Sequence, residues 1–334
     1  MLELRKEGLF CKIGNFYIDP WRPVDYALIT HAHSDHAYPG HRNYLCHPVT
    51  RALLQVRLGQ YNYQTLNWGE TIVKNGVRIS FHPAGHVAGS SQIRLEYKGE
   101  IWVVSGDYKL EHDSISGNFE PVACHTFISE STFGLPVYSW EAPDIIYKSM
   151  QDWVVQNRSM GITSVFFAYS LGKAQRVTHA IAPVTDKIYL HPTVTKLHET
   201  LLRNGIPLPD VLKEFSDTTK PDVVIAPLSV MESSWLKKCT PYRTAVCSGW
   251  MQIRGQARRY TTDYGFTLSD HADWKGLLTA IKETGASRIY LTHGFQSVMS
   301  RYLTEQGLDA QELKTPYGSE ETEENSSTPT TTLK

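Results

Sequence analysis

The chain lacks features that would place it in a membrane or in an oxidising compartment. No apolar run reaches the roughly 18 residues that a membrane span requires. The stretch from Met1 to Glu7 carries early charges and no long apolar run, so we expect no signal peptide. The five cysteines are odd in number and form no Cys-x-x-Cys pair, which favours reduced, buried thiols. These absences together favour a cytoplasmic protein.

An excess of basic charge is also missing. The formal net charge is −1, so composition gives no global support for nucleic-acid binding, although a protein that grips only a few phosphates needs no large excess. Arg254, Arg258 and Arg259 do cluster, and they could follow a phosphate backbone or form an ordinary solvated surface. With 334 residues, 41% of them hydrophobic, the chain can bury a large core in one or two domains.

The densest group of metal-binding side chains follows one apolar run. Residues 26–30 predict a buried strand, and His31, His33, Asp35 and His36 come directly after it. The two-residue spacing of the first two histidines aims both imidazoles to one side of an extended backbone. Three imidazoles and one carboxylate within six residues suit a divalent cation such as zinc or manganese.

Further candidate ligands come at the ends of later predicted strands. His86 follows the strand 79–83 in a glycine-containing turn, and Asp107 ends the apolar run that begins at Ile101. Each alone is an ordinary turn or structural residue, but their order after the first cluster favours one shared site. Asp19, in Phe-Tyr-Ile-Asp-Pro, could orient a ligand imidazole from behind or simply form an Asp-Pro turn.

The string His-Ala-His-Ser-Asp-His resembles the signature of the metallo-β-lactamase-fold hydrolases. Three later motifs, which contain Glu130, Asp270-His271 and His293, resemble motifs A, B and C of the β-CASP nucleases, the branch of that superfamily that cuts nucleic acids. The resemblance covers most of the chain, from about residue 10 to about residue 317. It implies an α/β fold: a metallo-β-lactamase αββα sandwich with an inserted α/β β-CASP cap domain.

Within this branch the chain is similar to the bacterial ligase-associated DNA exonucleases, relatives of Artemis and the crosslink-repair nucleases. This closer resemblance depends on three strings, at 248–255, 268–274 and 167–173. It implies a DNA substrate, with a DNA ligase and other repair proteins as partners. Artemis-type enzymes usually lack the histidine of motif C, whereas RNA-cutting members such as RNase J have it. Because His293 is present, RNA is also a possible substrate, although DNA is favoured.

The pattern of elements changes along the chain. Short strands with glycine turns, such as Asn75-Gly and Lys98-Gly, give way to an amphipathic helix at 142–156, whose apolar stripe holds Ile145, Ile146, Met150, Trp153 and Val154. Alternating short strands and helices then predict a small parallel sheet. The predicted domains are a metallo-β-lactamase part at 1–143, a β-CASP domain at 144–260, a C-terminal metallo-β-lactamase part at 261–317, and a disordered acidic tail at 318–334.

The resemblance implies two metal ions, zinc and/or manganese, and a role for each motif. His31, His33 and His86 would hold metal one, Asp35, His36 and His293 would hold metal two, and Asp107 would bridge them. Ionised water between the metals would attack phosphorus. His293 could instead be a non-ligand.

The leaving oxygen needs a proton, for which His271 is the candidate because an imidazole titrates near neutral pH. Glu130 would keep this imidazole charged, although Asp270 or Asp273 could do so. Serving as a metal ligand or starting a helix are the alternatives for His271.

Substrate contacts are predicted where a strand passes into a helix. Tyr169, Ser170 and Lys173 precede a predicted helix, whose N-terminus attracts anions. With Ser131, Thr132 and Arg254 they would bind a terminal 5′-phosphate, which implies 5′-to-3′ exonuclease activity. The alternative is an ordinary helix start.

Three functional hypotheses follow from the sequence. The leading hypothesis is a DNA exonuclease in repair, and the second is an RNA-processing ribonuclease. The third, an inactive structural β-CASP protein, is disfavoured by the complete ligand set.

Overall fold

The computed structural model describes residues 1–215, 220–253 and 260–316. In chain order the strands are β1 (Leu2–Arg5), β2 (Gly8–Cys11), β3 (Phe16–Ile18), β4 (Tyr26–Leu28), β5 (Asn43–Cys46), β6 (Asn62–Thr65), β7 (Thr71–Lys74), β8 (Val77–Pro83), β9 (Ser91–Tyr97), β10 (Glu100–Val104), β11 (Thr126–Glu130), β12 (Thr163–Phe167), β13 (Ile188–Leu190), β14 (Val223–Ala226), β15 (Tyr242–Cys247), β16 (Tyr264–Phe266), β17 (Arg288–Thr292) and β18 (Asp309–Glu312). The helices are α1 (Pro48–Leu58), α2 (Pro143–Ser159), α3 (Lys173–Ile181), α4 (Pro192–Arg203), α5 (Trp274–Thr284) and α6 (Gln296–Glu305). The predicted tail, 318–334, and the basic cluster at Arg254, Arg258 and Arg259 lie outside the described residues.

The chain is a mixed α/β protein that forms two compact units. The first combines residues 1–139 with those from 271 onward, and the second is Trp140–Asp270. The predicted insertion, 144–260, lies within the second unit. Among the described residues no helix is both long and apolar enough to cross a lipid bilayer.

The first unit contains two sheets that share a core. One sheet has the strand order β1 to β6, and the other has the order β18-β17-β11-β10-β9-β8-β7. Alternate side chains of β10 point to opposite faces, as a strand requires. Trp102 and Val104 join a cluster with Phe16 and Leu28 of the first sheet, whereas Val103 packs with α5 and α6. The second sheet is therefore covered by the first sheet on one face and by helices on the other.

Four strand ends meet at one edge of the seven-stranded sheet. β10, β11 and β17 are parallel to one another. β8 and β10 are each antiparallel to β9, so β8 runs in the same direction as β10. Their carboxyl ends therefore lie at the same edge. The predicted site residues His86, Asp107, Glu130 and His293 occur at or just beyond these ends.

Both predicted glycine turns join neighbouring strands of a hairpin. Asn75-Gly76 joins β7 to β8, and Lys98-Gly99 joins β9 to β10. The φ angles are 49° and 83° in the first turn and 50° and 82° in the second. Positive φ at both central residues matches the right-handed twist of the flanking strands, so the turn predictions are confirmed.

The second unit contains a parallel five-stranded sheet, in the order β13-β14-β12-β15-β16. In β12, Phe166 packs with α2, α3 and α4, whereas Val165 and Phe167 point to the other face. The predicted parallel sheet with helices is confirmed. The assignment of Ile145 to the buried stripe of α2 is wrong, since this residue is 57% exposed. The buried face of the helix instead follows Ile146, Met150 and Trp153 at helical spacing.

Candidate metal centre and acid site

The first unit contains two groups of side chains that could each hold a metal ion. The first contains His31, His33, His86 and Asp107, and the second contains Asp35, His36 and His293. Within each group, one ligand atom per residue lies within 4.8 Å of the others. The structure thus brings together the residues that the resemblance assigns to each ion.

Asp107 lies between the two groups. Its Oδ2 is 3.4 Å from His31 Nε2 and 3.6 Å from His86 Nε2, whereas its Oδ1 is 3.3 Å from His36 Nε2. Each carboxylate oxygen therefore faces a different group. This is the arrangement that a bridging ligand needs.

The imidazoles of each group are close but differently arranged. In the first, the ring centroids of His31, His33 and His86 lie 4.7 to 4.9 Å apart with edge-to-face planes. In the second, His36 and His293 are stacked with centroids 5.0 Å apart. The edge-to-face set directs ring nitrogens toward a common point, as in His33 Nδ1 and His86 Nε2, which are 3.1 Å apart.

Several ring nitrogens in these groups fit a cation. Among the described residues, His31 Nε2, His36 Nε2 and both ring nitrogens of His293 are buried without a hydrogen bond. Leaving a buried polar atom unpaired costs about 1–3 kcal/mol, so such atoms usually have a partner. Because the donors are nitrogen and oxygen with no thiolate, the set suits zinc or manganese.

The electrostatics also favour metal ligation. Burial and the charge of neighbouring His36 hold the pKa of His31 well below its ordinary value, and the same two causes lower the pKa of His293. Burial acts to raise the pKa of Asp107, but His36 and His31 outweigh it and keep this carboxyl pKa well below its usual range. Neutral imidazole and ionised carboxylate are the forms that bind metal. His36 is the exception: burial acts to lower its pKa, but Asp107 and Asp35 outweigh burial and hold this pKa well above its ordinary value, so an ion that binds there must displace a proton.

Asp19 orients His36 from behind. Its Oδ2 lies 2.8 Å from His36 Nδ1, which leaves Nε2 facing the second group. The same carboxylate accepts hydrogen bonds from the Thr30 amide (2.8 Å) and the Thr30 hydroxyl (2.5 Å). Because the Thr30 amide bonds to this side chain, β4 ends at Leu28 rather than at Thr30 as predicted. An orienting role of Asp19 toward a ligand imidazole requires this contact, and the role itself stays a prediction.

His271 is held by Glu130. Its Nδ1 lies 2.8 Å from Glu130 Oε2, and the other carboxylate oxygen accepts from the Tyr108 amide at 2.7 Å. Both side chains are buried, and the His271 ring centroid is 4.6 Å from that of His86. Since Nδ1 faces the carboxylate, Nε2 is the atom that can transfer a proton. Of the predicted alternatives, Asp273 instead accepts from the Gly276 amide at the start of α5.

The predicted phosphate contacts differ in their surroundings. The Ser131 hydroxyl donates to the Thr292 and His293 carbonyls, which leaves no proton for a phosphate. The Thr132 hydroxyl is buried and, among the described residues, has no hydrogen-bond partner. Tyr169, Ser170 and Lys173 lie in the second unit, where the predicted α3 starts at Lys173. Arg254 is outside the described residues.

Lys173 forms a buried ion pair with Asp270 in the second unit. Replacing Asp270 with alanine should lower the free energy of unfolding by about 3–5 kcal/mol, because Lys173 would keep an unpaired buried charge. The double variant Lys173→Met/Asp270→Leu should recover most of this loss. Urea unfolding followed by circular dichroism measures each value.

The exposed pair of Lys148 and Asp152 provides the control for this prediction. These side chains are 69% and 62% exposed, so Asp152→Ala should change stability by less than about 1 kcal/mol. If Asp270→Ala and Asp152→Ala lower the free energy of unfolding equally, the ion pair of Lys173 contributes no more to stability than an exposed pair does.

Some supporting residues were not predicted from the sequence. Arg57, in the last turn of α1, donates to the Ala32 carbonyl between the first two histidines at 2.5 Å. Thr30 binds Asp19, and Gln296 contacts the His293 loop. A basic residue at the end of a helix is common, so Arg57 carried no distinctive signal.

The chain is similar to several known proteins, although no family model matches it. A probable DNA ligase of Opitutus terrae is 30% identical over 307 residues, which cover 91% of this chain and 30% of that protein. An RNase J-like protein of Methanocaldococcus jannaschii is 23% identical over 183 residues, covering 47% of this chain and 43% of that protein. These relatives are consistent with the resemblance of the chain to the β-CASP nucleases. The chain spans less than half the length of these two relatives.

A solved structure is similar to this chain in fold. A protein of unknown function from Enterococcus faecalis superimposes with a TM-score of 0.61 over 88% of this chain and 80% of that one. The sequences are 12% identical, so the likeness concerns the fold alone.

Proposed function

We propose that the chain is a metal-dependent DNA exonuclease that acts from the 5′ end during DNA repair. The observation that carries the proposal is the match over 91% of the chain to part of a probable DNA ligase. A nuclease segment joined to a ligase would prepare the ends that the ligase seals. A DNA ligase and other repair proteins are therefore the proposed partners.

The proposed architecture is an αββα metallo-β-lactamase sandwich with a β-CASP cap. The shared core of the two sheets and the helices packed on the seven-stranded sheet support the sandwich. The proposed cap is the domain at 144–260, supported by the parallel sheet of the second unit. A cytoplasmic location is supported by the five cysteines, all of which are buried and free of disulfides.

We assign the two donor groups to two divalent ions. His31, His33 and His86 would hold the first, Asp35, His36 and His293 the second, and Asp107 both. When bound, such ions supply Lewis acidity, which lowers the pKa of water from about 15.7 toward 7 and stabilises charge on phosphate oxygens. The chain's own part is to fix these ligands, with Asp19 holding His36 in one orientation.

His271 would act as the general acid. As hydroxide forms its bond to phosphorus, the bond from phosphorus to the departing sugar oxygen breaks, and Nε2 transfers its proton to that oxygen. Glu130 would stabilise the charged imidazole beforehand through the 2.8 Å contact with Nδ1. The amide of Tyr108 fixes the carboxylate, so the acid is oriented before substrate binds.

Thr132, Tyr169, Ser170, Lys173 and Arg254 stay separate candidates for contact with a terminal 5′-phosphate. The buried Thr132 hydroxyl, beside motif A, supports the first of them. Lys173 is already paired with Asp270, so its charge would contribute less to phosphate binding than a free lysine would.

Matched end-labelled DNA and RNA strands test the substrate. We expect mononucleotides to be released from the 5′ end of DNA in manganese or zinc, with a 5′-phosphate end cut faster than a 5′-hydroxyl end. Wild-type protein treated with a chelator is the control. Release from the 3′ end would refute the proposed polarity.

RNA processing is the second candidate function. The similarity to an RNase J-like protein and the presence of His293 at motif C favour it. Internal cuts in the RNA strand, with the DNA strand intact, would replace the first proposal by this one.

A further inference from the structure

The loop that carries His293 has an unusual backbone. His293 has a φ of +56° and Gly294 a φ of +59°, so two successive residues are left-handed. Side chains with a Cβ atom rarely adopt this region, and they keep it only where surrounding contacts fix it. The imidazole of His293 is therefore placed by whatever holds its two peptide groups.

Ser131 holds this loop from the motif A side. Its amide donates to the Thr292 carbonyl (2.8 Å), and its hydroxyl donates to the carbonyls of His293 (2.5 Å) and Thr292 (3.1 Å). Its carbonyl accepts from the Phe295 amide at 2.9 Å. A Cβ atom at Gly294 would lie 2.4 Å from the Ser131 carbonyl oxygen, so the loop lies directly on this residue.

Gln296 holds the other side of the same histidine. In the amide orientation that pairs donors with acceptors, its side-chain oxygen accepts from the His293 amide at 3.1 Å. Its nitrogen then donates to the Leu313 carbonyl at 3.3 Å, which ties the loop to the segment after β18. Gln296 is only 8% exposed, so water competes little for these two hydrogen bonds.

We infer that the side chains of Ser131 and Gln296 form a peptide clamp that positions His293 for the second divalent ion. The clamp binds the carbonyl and the amide of the one ligand that lies in a left-handed conformation. Neither residue would touch the ion, so both are positioning residues. The inference rests on the proposed function, because it assumes that His293 ligates a metal.

The test measures metal binding by metal-free protein without nucleic acid. Manganese is titrated into wild-type protein and into Ser131→Ala, Gln296→Leu and the double variant, by calorimetry and by metal analysis after dialysis. Each single variant should weaken the second ion by about 10–100-fold, as loss of groups that orient ligands typically does. The first ion should change by less than about twofold. The paramagnetic resonance spectrum should change from that of coupled ions to that of an isolated ion at equal loading.

Ser300→Ala is the matched control. Its hydroxyl is also buried and donates to the Ser297 carbonyl within α6, so it reports general loosening of the helix. Circular dichroism and thermal unfolding verify that every variant is folded.

Equal weakening of both ions, or unchanged binding of both, would overturn the clamp. Failure of the wild-type protein to bind a second ion would overturn both the clamp and the metal assignment. If two ions bind and the variants lose the second, the clamp stands even where no nucleic acid is cut, and only the proposed nuclease function fails.

Discussion

Asp107→Asn should remove cleavage almost completely, by more than about 10³-fold, and should lower the bound metal from two ions toward none. One carboxylate oxygen faces His31 and His86, and the other faces His36. Asparagine keeps the shape but replaces one oxygen by a nitrogen without a lone pair for metal. Without bound ions, water keeps its pKa of about 15.7 and hydroxide is scarce at neutral pH. Cleavage of end-labelled DNA and metal content are measured on the same preparation.

Asp25→Asn provides the control for this change. Its side chain is 71% exposed and pairs only loosely with Arg42, at 3.4 Å, so metal content and cleavage should remain at wild-type values. Retention of two ions and more than a tenth of the activity by Asp107→Asn would exclude the bridging assignment.

The positions of the candidate ligands could be predicted because strand ends carry them. His86, Asp107, Glu130 and His293 each follow or end an apolar run, and parallel strands bring such ends to one edge. The sequence also predicted the parallel sheet of the second unit, since strands alternate there with helices. Both predictions depend on the hydrophobic pattern of short segments, which can be seen directly in the sequence.

The supporting contacts could not be predicted, because they depend on backbone paths that converge only in the fold. Ser131 was expected to contact phosphate, yet its proton is donated to carbonyls 161 and 162 residues away along the chain. The left-handed His293 has the same φ sign as the glycine beside it, and nothing in its residue type signals this. β4 ends at Leu28 rather than at Thr30, and the Thr30 amide donates to the side chain of Asp19, 11 residues earlier in the chain.

His271→Ala should lower the turnover of DNA by about 10²–10⁴-fold while leaving both ions bound, as expected for loss of a general acid. Its Nδ1 is held by Glu130, so only Nε2 remains for the proton transfer. A nucleotide ester with a p-nitrophenolate leaving group needs no such proton. We therefore expect this ester to be cleaved by His271→Ala at close to the wild-type rate.

The comparison of the two substrates separates the acid from its alternatives. His112→Ala, a change at an exposed histidine, should leave both rates unchanged. If His271→Ala slows the activated ester as much as DNA, the residue does not protonate the leaving group. If it also loses metal, His271 is a ligand, and the group that it forms with Asp107 and Glu130 would be a third cation site rather than an acid. A selective loss on DNA with full metal content is the result expected of an imidazole that supplies the proton.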